Sequence, residues 1–169
     1  MPSNRLSDDW TKQSATRRLL LVALLLLAAD QATKLYVRLV LADDLPIQVT
    51  GFFNLVLAYN RGVSFSMLWL EGPAGPYILA GLALLIVAAL IWWARRESRR
   101  FVALCAGLIV GGAIGNVLDR LYLGQVVDFL DFHAFGWHWP AFNLADSGVV
   151  IGALLLVADG LFGRGSGVK

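Results

Sequence analysis

Four long apolar segments, at about residues 19–41, 77–94, 101–123 and 143–162, constrain this chain more than any other feature. At ~1.5 Å of rise per residue, each is long enough as a helix to cross about 30 Å of hydrocarbon. Lipid offers no partner for a backbone N–H or C=O, so spanning segments must be helices or the strands of a closed barrel. The short connections here leave too few strands for a barrel. The chain is therefore expected to be an all-α membrane protein with four transmembrane helices. Composition agrees, with 58% hydrophobic and 15% charged residues, where a soluble domain carries about 25% charged. Residues 1–169 read as a single polytopic domain. Arg17-Arg18 before Leu19 to Leu27 and Ala28-Ala29 has the order of regions of a cleaved signal peptide. Because the apolar character resumes and runs to Leu41, an uncleaved anchor is expected instead.

Charge sets the expected orientation. Arg5, Lys12, Arg17 and Arg18 precede the first span, Arg95, Arg96, Arg99 and Arg100 fill the second connection, and Arg164 and Lys169 follow the fourth span. By the positive-inside rule these regions, and so both termini, are cytoplasmic. The first connection (about 42–76) and the third (about 124–142) then face outward. The net charge of +2 is too small to suggest a nucleic-acid partner. The single cysteine, Cys105, lies in an apolar run with no base nearby and reads as packing.

The first outer connection has structure of its own. Ile47 and Val49, then Phe53, Leu55, Leu57 and Tyr59, alternate with the period of a half-buried strand. Asn60-Arg61-Gly62 reads as a turn, after which Ser64 to Met67 could pair back, giving an extracytoplasmic β element over about 45–67. Gly72-Pro73-Ala74-Gly75-Pro76 closes the unit.

Ionisable groups within spans need a partner or a purpose. Asp30 and Lys34, four apart, share a helical face and read as an internal ion pair. Gly107, Gly111 and Gly115 form a small-residue stripe for close helix packing. Asn116, Asp119 and Arg120 share a face at the outer end of the third span; Asp119 and Arg120 could neutralise each other, or serve a site. Asp128 is flanked by Val126, Val127, Phe129 and Leu130, unlike a solvated loop acid. Asp146 follows Asn143 at the start of the fourth span, where a helix macrodipole favours an acid. The third span ends and the fourth begins on the outer side, so both aspartates fall near one membrane surface. Two carboxylates meeting there do not both ionise readily, and one proton shared between them suits peptide hydrolysis.

These motifs together resemble the bacterial lipoprotein signal peptidases, signal peptidase II, a family of aspartic intramembrane peptidases. The resemblance rests on Asp30-Gln31-Ala32-Thr33-Lys34, on Tyr59-Asn60-Arg61-Gly62 with Phe65-Ser66, on Gly115-Asn116 with Asp119-Arg120, on Val127-Asp128-Phe129 and on Phe142 to Ser147. It implies an enzyme that removes the signal peptide from diacylglyceryl-modified prolipoproteins, cutting before the lipidated cysteine, with Asp128 and Asp146 catalytic. Asn60, Gly62, Asn116, Arg120 and Asn143 would line the substrate site, and Asp30, Lys34 and Asp119 would support it. A small extracytoplasmic β-sheet and a short surface helix are implied, as is a location in the bacterial inner membrane with the site near the outer face. No cofactor or metal is implied; the partners are the prolipoprotein substrates and membrane lipids, and the chain is expected to be a monomer. Ser64 and Arg61 depart from or add charge to the family pattern near the substrate entrance.

Two other functional classes, and a pure scaffold, remain open at this point. Asp30, Lys34, Asp119, Arg120, Asp128 and Asp146 could form a transport pathway, although the inner half offers only Asp159. Asp128, Asp131, His133 and His138 could serve a metal-dependent hydrolase, although their spacing matches no metal pattern.

Overall fold

The computed structural model describes residues 3–62 and 73–162, with side chains from residue 13 onward. Helix α1 (Ser3–Leu39) leads into a 3-10 turn (Ala42–Asp44), β1 (Ile47–Thr50) and β2 (Phe53–Asn60); α2 (Gly75–Ala94), α3 (Arg100–Leu123), β3 (Val126–Ala134), β4 (Trp137–His138) and α4 (Leu144–Phe162) follow. Four helices are long and apolar enough to span a membrane, over Gln13–Leu39, Gly75–Ala94, Arg100–Leu123 and Leu144–Phe162. The first helix starts well before residue 19, because neither glycine nor proline interrupts 3–41 and arginine is a good helix former. Helix α3 stops at Gly124, whose φ of 68° and N–H to the Arg120 carbonyl at 3.1 Å form a left-handed C-terminal cap.

Helix α3 is the central element, packed against α1, α2 and α4. Small residues make that possible. A Cβ on Gly111 would stand 2.5 Å from the Ala23 carbonyl oxygen of α1, and one on Gly152 of α4 would stand 2.7 Å from the Cys105 carbonyl oxygen of α3. Ala15, Leu19, Ala94, Ala103 and Ala106 form one buried cluster among α1, α2 and α3, and Ala23, Val87 and Val110 form another. The bundle turns Leu24, Leu85 and Leu154 outward, as a lipid solvent permits.

The β elements form one antiparallel sheet ordered β1-β2-β3-β4. This sheet draws on both the first and the third connection: the third supplies β3 and β4, which pair through a two-residue loop at Phe135 and Gly136, with φ of 53° and 79°. Ser64–Met67 lies outside the described residues; the described partners of β2 are β1 and β3. Besides the four long helices, the helical element among the described residues is the 3-10 turn at Ala42–Asp44. Pairing of β2 with β3 places Leu55 opposite Leu130 and Ala58 opposite Asp128, with an irregularity between Leu55 and Ala58. Strict alternation from Phe53 and Leu55 would turn Asn60 to the other face. The extra residue brings it round to the face of Asp128.

Candidate active site

Asp128 sits on β3, where Val126, Val127 and Phe129 are also buried, and is itself 2% exposed. Its Oδ1 accepts a hydrogen bond from Asn143 Nδ2 at 2.7 Å, and its Oδ2 accepts one from Asn60 Nδ2 at 3.1 Å. Asn60 is held in turn, since its Oδ1 accepts the Gly62 N–H at 3.0 Å. Burial first, and then the charge of Asp146, push the Asp128 carboxyl up to about 7.

Asp146 stands in the first turn of α4. Its N–H donates to Asn143 Oδ1 at 2.9 Å, and its Oδ2 accepts the Asn143 N–H at 3.3 Å. This reciprocal pair is a capping box built from Asn and Asp, so the helix-start role expected for Asp146 is real. The remaining oxygen, Oδ1, accepts from Asn116 Nδ2 at 2.8 Å. One side chain, Asn143, thereby caps the helix that carries Asp146 and donates to Asp128.

Beneath the aspartates lies a buried charged network. Lys34 Nζ is 2.9 Å from Asp30 Oδ2 and 3.0 Å from Asp119 Oδ2, and donates to Asn116 Oδ1 at 3.0 Å. Gln31 Nε2 donates to Asp30 and Asp119, each at 3.1 Å, and to the Gly115 carbonyl at 3.2 Å. Since Asn116 Oδ1 also accepts from Asn143 Nδ2 at 3.2 Å, its amide nitrogen is left facing Asp146. The Asp30–Lys34 pair read from the spacing is present, but it is one part of a larger cluster.

Asp119 and Arg120 do not neutralise each other. Asp119 pairs with Lys34, while Arg120 donates through Nη2 to the Gly62 carbonyl at 3.0 Å and through Nη1 to the Asn116 carbonyl at 3.3 Å. Arg120 thus ties the turn after Asn60 to α3.

Asp131 and the histidines occupy the opposite face of the sheet from Asp128. Asp131 lies across from Asn54, which donates to it at 2.9 Å, and His138 Nδ1 is 2.9 Å from either carboxylate oxygen. Burial works to raise the Asp131 carboxyl, but the His138 and Asn54 bonds hold it below the usual range. His133 stacks on His138 with ring centroids 4.8 Å apart. Among the described residues, no group of three or more His, Cys, Asp and Glu is gathered as a metal site. The bridging role of Gln31 and the pairing of Asp131 with Asn54 and His138 were not foreseen from the sequence. A glutamine beside Asp30 within a span was the one available signal.

Four spanning helices carrying a buried, hydrogen-bonded carboxylate cluster define the class as a multi-pass membrane protein with a polar site at one end of the bundle. The family Signal peptidase (SPase) II matches residues 22–162. The chain belongs to that family, and is accordingly a peptidase of an aspartic class. The Lipoprotein signal peptidase of Paraburkholderia phytofirmans is 50% identical over 143 residues, 83% of this chain and 82% of that protein. That of Aeromonas hydrophila is 47% identical over 155 residues, 90% of this chain and 93% of its own. A bacterial membrane enzyme solved by the in meso method at 2.3 Å superposes with a TM-score of 0.74 at 28% identity, covering 89% of this chain and 94% of that one.

Proposed function

We propose that this enzyme removes signal peptides from diacylglyceryl-modified prolipoproteins by cutting before the lipidated cysteine, with Asp128 and Asp146 as the catalytic dyad. One observation carries the reading: Asn60, Asn116 and Asn143 each donate to one of the two carboxylates, and Asn143 engages both residues. The name shared by the Paraburkholderia and Aeromonas relatives supports the substrate class.

In this mechanism the dyad shares one proton and titrates as a unit. Asp128, pushed up to about 7, is the member suited to hold it. The ionised carboxylate of Asp146 takes a proton from water as the water oxygen attacks the scissile carbonyl. The Asp128 proton stabilises the developing oxyanion, and a proton then passes to the leaving nitrogen, which is the amine of the lipidated cysteine. Products are the signal-peptide carboxylate and the lipid-anchored amine. Asn60, Gly62, Asn116, Arg120 and Asn143 shape the substrate site, with Asp30, Lys34 and Asp119 beneath it. The chain acts as one domain and a monomer in the bacterial inner membrane, with both termini cytoplasmic and the dyad near the outer face. Charge asymmetry between the connections supports that orientation. Anchoring by the acyl chains presents the scissile bond at the depth of the site.

Cleavage of a purified diacylglyceryl-modified prolipoprotein tests the proposal. Asp128→Asn and Asp146→Asn should each abolish cleavage while circular dichroism stays unchanged, and strong chelators should have no effect. Full cleavage by either variant, or loss in chelator restored by zinc, sinks the assignment.

A further inference from the structure

We propose that the end of the bundle opposite the aspartates binds the headgroup of an anionic phospholipid, held between the α2–α3 connection and the neighbouring part of α1. Packing of Ala15 and Leu19 against Ala94, Ala103 and Ala106 brings these segments together. Arg17, Arg18, Arg95, Arg96, Arg99 and Arg100 therefore collect at one end of the molecule. Among the described side chains, the acids at this end are Glu97 and Asp159.

Both acids are committed. Asp159 of α4 pairs with Arg99. Glu97 folds the connection on itself, its Oε1 accepting the N–H groups of Ser98 at 3.1 Å and Arg99 at 3.3 Å. Arg96 is also placed, its guanidinium 3.7 Å above the Trp92 ring. Arg17, Arg95 and Arg100 are exposed and have no ion pair with an acid among the described residues. Helix α3 moreover opens with arginine and without an acid in its first turn, an arrangement that its macrodipole disfavours. An anion relieves both conditions.

The surroundings select a lipid phosphate over a soluble anion. Trp92 and Trp93 are exposed beside the arginines, at the depth where tryptophan marks a membrane boundary. Phe101 and Leu104 extend exposed apolar surface from Arg100 along α3, where acyl chains lie. A phosphodiester at the arginines with its chains along this surface satisfies the charge and the apolar face together.

Native mass spectrometry of the full-length protein, released from detergent with equal amounts of phosphatidylglycerol and phosphatidylcholine, tests this. Phosphatidylglycerol should be retained by about fivefold or more over phosphatidylcholine. R95Q/R100Q should remove the preference and R95K/R100K should keep it, since charge is what is read; both pairs are exposed, and unchanged circular dichroism excludes a folding defect. Equal retention of the two lipids, an unchanged preference in R95Q/R100Q, or displacement of the lipid by inorganic phosphate at the same concentration would overturn the proposal.

Discussion

The Asp30 carboxylate accepts the backbone N–H of Ala145 at 2.9 Å, so a residue in the first span fixes the position immediately before Asp146. Asp119 does the same on the other side, accepting the Val127 N–H at 3.1 Å, immediately before Asp128. Lys34 joins the two carboxylates. The separation of the proposed dyad is therefore set from below by one lysine.

Lys34→Met should reveal that dependence. It leaves Asp30 and Asp119 buried without their cation, a change that costs about 3–5 kcal/mol. Unfolding in mixed micelles should show a loss of that size, and cleavage should fall with it. An unaltered unfolding midpoint would mean that the network is dispensable.

Asp128 gives a pH dependence of defined sign. Its carboxyl is pushed up to about 7 from an ordinary value of 3.8, so across this window the folded chain holds a proton that the unfolded chain releases. The stability it contributes is fully present below about pH 4, declines as pH rises to about 7, and is level above that. The whole decline is on the order of 4 kcal/mol. Unfolding measured across this range should show the decline in the wild type and a smaller one in Asp128→Asn. The alkaline limb of kcat/KM should fall in the same region, where the dyad loses its shared proton.

Arg120→Lys keeps the charge but loses the fork that holds the Gly62 and Asn116 carbonyls together. A charged hydrogen bond of this kind contributes about 1.5–3 kcal/mol, so kcat/KM should drop roughly ten- to hundredfold. Steady-state kinetics on a lipidated substrate would measure it.

Gly112 faces the Ala145 carbonyl oxygen and Val149 of α4, and an added Cβ would stand 2.9 Å from Val149 Cγ2. Gly112→Ala should push α4 away, lowering stability by about 1–3 kcal/mol and displacing Asp146 enough to slow cleavage. At Gly81 an added Cβ would enter open space, with nothing within 4 Å, so Gly81→Ala should be neutral or stabilising by up to about 1 kcal/mol. Thermal unfolding of the two variants side by side would show the contrast.

The spans and their small-residue contacts were legible because lipid imposes length and hydropathy directly on the sequence. Asp128 was legible for a related reason: an acid inside an apolar run demands an account. Asp146 by itself read as a helix-start charge, and only its place at the same end of the bundle joined it to Asp128. Pairing across the sheet was not. Val126 to Phe129 is buried without alternation, so β3 has no period to read. In β2 the alternation from Phe53 to Tyr59 conceals an irregularity, because Val56 and Leu57 are both apolar and either can be the extra residue. Hydrogen bonds from Ala145 to Asp30 and from Val127 to Asp119 start on backbone amides, which every residue but proline offers. No side-chain pattern announces them.

The site is assembled from β2, α3, β3 and α4, with Asp146 in the last of them. During synthesis the chain emerges in that order, and a nascent protein that has not yet inserted its final helix carries a single carboxylate of the pair. It also lacks Asn143, the side chain that joins Asp128 to Asp146. With the dyad proposed above, hydrolysis waits on the insertion of that last helix.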